Sequence, residues 1–295
     1  MGIASEYAPA RVRELAPAQE EIALPQRKEQ EQAWLTRTTP AGARATLRLL
    51  ALLPPLALAL LLLIGWYAGT TFGHINSLFL PAPADVLISL LNGITSGLYA
   101  SNTLVTVQES VLGFLLAVVV ALPLGYGLVK SRVLSATVQP YLAAWQAIPA
   151  IVIAPLLVMW LGYGMLPVVI LCMLVVLFPM VINVALGFQT IERMYIEAAR
   201  LDGASGWSLL THIEFPLALP AILAAVRTGF TLSITGALVG EFVKSGDQGL
   251  GALVMIAKNQ YDTPAMFATL LVLAALAALY YTATWLLSRL AAAVY

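Results

Sequence analysis

Six apolar stretches, most of them about the 20 residues a helix needs to cross roughly 30 Å of hydrocarbon, constrain this chain more than any other feature. They run from about Leu49 to Ala68, Thr106 to Val129, Ala147 to Leu161, Leu166 to Phe188, Leu217 to Glu241 and Pro264 to Leu287. Inside a bilayer every backbone N–H and C=O must be satisfied within the protein, so stretches of this length form helices. With 60% hydrophobic and 10% charged residues, the chain lies outside the range of soluble domains. The expected fold is therefore an all-α polytopic membrane protein with six transmembrane helices. Pro123, Pro149, Pro155, Pro179 and Pro220 fall inside spans, where neighbouring helices can satisfy the carbonyls that proline frees.

Lysine and arginine accumulate on cytoplasmic flanks. With the N-terminus inside, Arg44, Arg48, Lys130, Arg132, Arg193, Arg200 and Arg289 flank inner ends, against Lys244 and Lys258 outside. Seven against two places both termini in the cytosol. Residues 1–45 mix Arg, Lys and Glu with Ala, Pro and Gln, and cannot bury a core. They read as a disordered cytosolic tail that is retained, since no basic-then-apolar signal pattern precedes the first span. Residues 46–100 then hold the first span and an outer loop, and 101–290 the remaining five spans. In the outer loop Ala84 or Asp85 can cap a short helix after Pro81 and Pro83. That helix is either a connector or a surface that receives an outer partner.

Several functions are disfavoured by residue content. The formal net charge is zero and the basic residues are scattered, which gives no footprint for nucleic acid. Cys172 is the only cysteine and fills core space. His74 and His212 fall on opposite sides of the membrane, so no shared metal or catalytic site follows. Ionisable groups in spans point to function or to internal pairing. Arg227 either lines a path for an anion or clamps the bundle against a carboxylate or carbonyls. Thr231, Ser233, Thr235 and Asn183 are candidates for a polar passage or for helix contacts. Gln146, beside the interfacial anchor Trp145, can line an inner gate. Gly125 with Gly127, and Gly236 with Gly240, permit close helix approach.

Residues 189–216 are polar helix material between apolar runs. Thr190 reads as an N-cap, Ile191 to Asp202 as three turns, Gly203 as a left-handed stop, and Ser205 as the cap of a second helix that Pro216 ends. Ala198 and Ala199 leave a smooth patch with Glu197, Arg200 and Asp202 around it. The segment is a docking surface or an ordinary interfacial hairpin.

Glu197-Ala198-Ala199, Gly203, Ile213 and Pro216 stand at the spacing of the EAA motif, and the chain here resembles bacterial ABC importer permeases of the type I class. Phe215 replaces the leucine usual before the closing proline. Gln146-Ala147-Ile148-Pro149, Ile153-Ala154-Pro155-Leu156, Trp160-Leu161-Gly162, Leu80-Pro81-Ala82-Pro83, Gly240-Glu241-Phe242 and Gly249-Leu250-Gly251 resemble the nitrate, sulfonate and taurine branch, which also includes permeases for thiamine precursors and riboflavin. The resemblance implies the type I permease fold and an importer. Its partners would be a cytosolic ATPase subunit seated on Glu197, Ala198, Ala199, Arg200, Gly203, Ile213 and Pro216, an external solute-binding protein, and a second copy of the permease. The chain contains no G-x-x-x-x-G-K-[ST] phosphate loop. ATP and Mg thus belong to the partner, and no cofactor is expected on this chain. A secondary transporter or channel without an ATPase is the competing reading, but no internal repeat supports it. The cargo stays open between small anions and uncharged vitamin-like aromatics.

Overall fold

The computed structural model describes residues 41–73, 75–244, 246 and 248–294, and side chains from residue 54 onward except at 56, 287, 288 and 290–294. The N-terminal tail expected over residues 1–45 thus lies almost wholly outside the described residues. Every described element is helical: α1 Ala41–Thr71, α2 Pro83–Thr95, α3 Leu98–Lys130, α4 Arg132–Gln146, α5 Ala150–Leu161, α6 Met165–Gln189, α7 Arg193–Leu201, α8 Gly206–Leu209, a π-turn Leu210–Glu214, α9 Phe215–Val243, α10 Leu250–Asn259 and α11 Thr263–Val294. Among the described residues, those up to 66 and those from 67 onward belong to separate units.

Four of the expected spans are long continuous apolar helices: α3, α6, α8 through α9, and α11 over residues 263–286. The first expected span lies within α1, of which Ala57–Thr71 is a shorter apolar helix. The third differs in construction. Helix α5 has 12 residues, about 18 Å of rise, too short to cross alone. It pairs with α4 across a 101° bend at residues 147–149. Pro149 sits at the bend as the N-cap of α5, where its missing N–H costs no helical bond. Sequence alone does not show α4, because Ser135, Thr137 and Gln139 dilute its apolar pattern.

Helix α6 is the centre of the second unit, lying between α3 and α9. Its residues Val168, Cys172, Val176, Val181 and Val184 are completely buried. Lipid tails are as apolar as the helices, so close packing rather than water exclusion holds such a bundle together. Glycines supply that closeness. A Cβ at Gly236 would stand 2.8 Å from the Cys172 Cα, and one at Gly113 would stand 2.7 Å from the Val169 carbonyl oxygen. Gly125 presses on Val184, and Gly240 on Val168, in the same way. Gly127 instead faces Leu134 of α4. Cys172 therefore fills core space between Gly113 of α3 and Gly236 of α9, as its sequence setting suggests.

On the outer side, α2 begins with Ala82 as N-cap and Pro83 in its first turn, rather than with a cap from Ala84 or Asp85. Asp85 falls inside the first turn, where its charge still suits the helix dipole. Helix α2 packs on α11, and Tyr99 closes over Gly93.

The glycine contacts set a stability expectation. Gly113→Val should lower bundle stability by about 2–3 kcal/mol through overpacking against Cys172. A thermal melt of the purified protein in detergent, with Gly65→Val as an exposed control that has no atom within 4 Å, checks it.

Candidate functional site

The segment between α6 and α9 is a helix, a glycine turn and a second helix, with two changes from the sequence expectation. Thr190 does not cap the new helix. It closes α6, with its Oγ1 donating to the Gly187 carbonyl at 2.8 Å, and Glu192 is the N-cap of α7. Pro216 does not stop the second helix either. Helix α8 continues through the π-turn into α9, with Pro216 in the first turn of α9. A proline removes one N–H donor and crowds the preceding turn, and the wider π-turn just before it accommodates both.

Gly203 behaves as its position predicts. Its φ is +88°; its N–H donates to the Arg200 carbonyl at 3.1 Å, and the Ala204 N–H donates to the Ala199 carbonyl at 2.9 Å. That pair of bonds is the Schellman motif, which needs a left-handed residue at this point. Ala199 is buried, while Glu197, Ala198, Arg200 and Gly203 are exposed and Ile213 and Pro216 are half-buried. Met194, Tyr195, Leu201 and Trp207 are also exposed, Leu201 at 89%. The loop thus presents apolar side chains around a charged rim, as interface cores with polar surrounds do. His212 is exposed and meets Thr211 Oγ1 at 2.9 Å and the Ser208 carbonyl at 3.1 Å through Nδ1.

Beneath the loop lies a residue that sequence reading did not single out. Glu214, in the π-turn, is 2% exposed. It accepts from Lys130 Nζ at 2.5 Å and from Tyr126 OH at 3.0 Å, both on α3. Tyr126 in turn stacks edge-on against Phe188 of α6, centroids 5.1 Å apart. Three spans meet at this point.

The outer end carries a second polar cluster. Lys244, just past α9, donates to Glu109 Oε1 of α3 at 2.7 Å. Glu241 accepts from Thr106 Oγ1 at 2.7 Å and from the Gly251 N–H at 2.5 Å. The Leu250 N–H donates to Thr106 Oγ1, and the Gly249 N–H to Asn102 Oδ1. The first N–H groups of α10 have no partner within their own helix. Here α3 and α9 supply partners for the N–H groups of Gly249, Leu250 and Gly251. Gly249 has φ +112°, and a Cβ there would meet the Glu241 carboxyl. The Gly240-Glu241-Phe242 and Gly249-Leu250-Gly251 segments therefore mark a built junction. The signal in sequence was the glycine at 249; nothing local announced Thr106 or Asn102. A cavity of about 470 Å³ adjoins the cluster, lined among others by Gln108, Glu109, Tyr163, Lys244 and Gln248.

The expected path residues are only partly together. Arg227, Thr231 and Thr235 follow one another by single turns along one stripe of α9. Thr231 Oγ1 donates to the Arg227 carbonyl at 3.2 Å, and the Arg227 guanidinium lies 4.2 Å from the ring centroid of Tyr281. Ser233 is completely buried on another face, donating to the Phe230 carbonyl at 2.7 Å. Asn183 is exposed on α6. Gln146 is exposed beside a separate cavity of about 270 Å³ at the α4–α5 bend. There Trp145 stacks on Phe178 at 4.6 Å, so its ring packs within the bundle.

The chain is a polytopic helical bundle, and among the described residues no group of three or more His, Cys, Asp or Glu stands together to hold a metal ion. The chain belongs to the family described as binding-protein-dependent transport system inner membrane component, which matches residues 110–294. It is a multi-pass ABC importer permease of that family. It is 42% identical over 231 residues to the riboflavin transport system permease protein RibX of Chloroflexus aurantiacus, covering 78% of this chain and 86% of that one. It is 28% identical to the formylaminopyrimidine transport permease protein ThiX of Halalkalibacterium halodurans, over 79% of this chain and 92% of that one. To the taurine transport system permease protein TauC of Escherichia coli it is 27% identical, covering 75% and 81%. Its fold matches an inward-facing structure of the MetNI methionine ABC transporter with a TM-score of 0.58 at 21% identity, over 64% of this chain and 93% of that one.

The junction at the outer end gives a direct expectation. Gly249→Ala places a Cβ into the Glu241 carboxyl and a side chain at a left-handed φ. It should destabilise the protein by about 2–4 kcal/mol, more than Gly97→Ala, whose φ is also positive but which has open space around it. Thermal unfolding of the two variants side by side measures the difference.

Proposed function

We propose that the permease imports an uncharged aromatic vitamin of the riboflavin type. It works as a pair of identical copies, with two cytosolic ATPase subunits and an external solute-binding protein. The cargo reading rests on the 42% identity to a riboflavin permease over most of both chains, against 27% for a taurine permease. Charge supports it. An anion path needs uncompensated cations, yet Lys244 at the outer cavity is matched by Glu109. Arg227 lies over an aromatic ring. Arg227, Thr231 and Thr235 form the stripe of α9 that borders the path in this reading, with Gln146 at its inner end and Asn183 flanking it. Ser233 serves packing.

Coupling is assigned to α7, Gly203 and α8. Nucleotide-driven closure of the ATPases moves the loop through Glu197, Ala198, Ala199, Arg200, Ile213 and Pro216. The exposed Met194, Tyr195, Leu201 and Trp207 support a protein contact of this kind. ATP and Mg are held by the ATPase and none by this chain.

Uptake by proteoliposomes holding the permease, its ATPase and its binding protein tests the cargo. Labelled riboflavin should enter in an ATP-dependent manner, and excess taurine should not compete. Taurine uptake without riboflavin uptake would reverse the assignment. For coupling, Glu197→Lys and Gly203→Pro should each abolish transport-coupled ATP hydrolysis while the chain still inserts. Proline cannot adopt φ +88° and lacks the N–H that meets Arg200. Hydrolysis at the wild-type rate in both variants would remove the loop from the coupling role.

A further inference from the structure

Helix α3 is distant in sequence from the coupling loop, yet it is bonded to it. Glu214 stands at the exit of the loop, and its carboxylate is buried with both oxygens occupied, one by Lys130 Nζ and the other by Tyr126 OH. Lys130 is the last residue of α3, and its side chain is 39% exposed against 3% for that of Glu214. A buried carboxylate that loses its only cation is strongly penalised, so the two groups move as one. Lys130 also lies 5.3 Å from the centroid of the Tyr126 ring, which ties the ammonium to the same turn of helix. The loop therefore cannot tilt at its exit without drawing on the cytosolic end of α3.

The other end of α3 is held by the same chemistry with the charges exchanged. Glu109 of α3 takes Lys244 at the end of α9, and Thr106 of α3 takes Glu241 of α9. About 30 Å of α3 separates the two attachments. Between them the helices meet α6 through glycine contacts with little room for sliding. A helix pinned to the same neighbour at both ends carries displacement as a rod.

We propose that Glu214 is a positioning residue of the transport cycle. It passes movement of the coupling loop to α3 through Lys130 and Tyr126, and α3 delivers it to the Glu109–Lys244 junction at the outer face. This rests on the coupling role assigned to the loop above. Covalent continuity alone would drive only α6 and α9, the helices joined directly to the loop. The Glu214 contact adds a third span, α3, whose Val105, Gln108 and Glu109 line the outer cavity.

The test uses the complete transporter in proteoliposomes, measuring solute moved per ATP hydrolysed together with the amount of ATPase that copurifies. Glu214→Gln and Lys130→Met should each leave the ATPase bound while lowering the transport-to-hydrolysis ratio about tenfold. Tyr126→Phe, which deletes a single hydroxyl, should lower it about threefold with little effect on yield. The exchanged pair Glu214→Lys with Lys130→Glu should regain most of the ratio. An unchanged ratio in Tyr126→Phe and Glu214→Gln overturns the proposal, as does a fall in protein yield with no fall in ratio, which is the mark of a purely structural pair. Failure of the wild-type permease to retain any ATPase would instead refute the coupling role itself.

Discussion

Close approach of α3 and α9 to α6 is the constraint on which the rest depends. In water a loosely packed bundle still gains from excluding solvent, but in lipid it does not, and helices hold together where their surfaces interlock. Cys172 and Val168, both completely buried, lie where Gly113, Gly236 and Gly240 bring backbone against backbone. The polar groups at the helix ends can reach one another only because the glycines have already set the axes close. Tyr126 meets Glu214 at one end and Thr106 meets Glu241 at the other by direct hydrogen bonds.

Placing the charges at the ends follows from cost. A carboxylate in the middle of a bilayer must be matched within the bundle, whereas near the headgroups water and lipid phosphate relieve part of the penalty. Both carboxylate–lysine pairs join α3 to the α8–α9 helix, and each contributes one sign from each helix, in opposite order. That arrangement favours an antiparallel pairing of these helices over a parallel one, because reversing either helix would face lysine with lysine. It also fixes register along the helix axis, which an apolar interface of alanines and valines would specify weakly.

How far the sequence anticipates this depends on the range of each interaction. Long apolar runs are local patterns, so the spans α3, α6, α9 and α11 are legible. Gly203 was legible because a helix stop is decided within five residues. The bend between α4 and α5 is not, since α4 is short and Ser135, Thr137 and Gln139 interrupt its apolar residues. Pro216 was read as a stop because prolines usually are one; the π-turn that lets the helix continue leaves no composition signal. The pairs were beyond reach for a different reason. Glu214 and Lys130 lie 84 residues apart, and Glu109 and Lys244 lie 135 apart. Lys130 and Lys244 each read only as a flank charge, and nothing local marks Glu214 as a partner.

The same pairing bears on what can pass. A lysine that holds a buried glutamate is committed to the structure, and drawing it toward an anionic cargo would leave Glu109 without its cation in a site where the residue is wholly buried. An anion would thus have to compete with a bond that also keeps the outer end of α3 in place. A neutral solute with hydrogen-bonding edges makes no such demand. It can meet Gln108, Gln248 and the Tyr163 ring around the outer cavity while the ion pair stays intact. In the proposed reading, transmission of movement and an uncharged cargo follow from one arrangement, in which the Glu109–Lys244 pair holds helices and not solute.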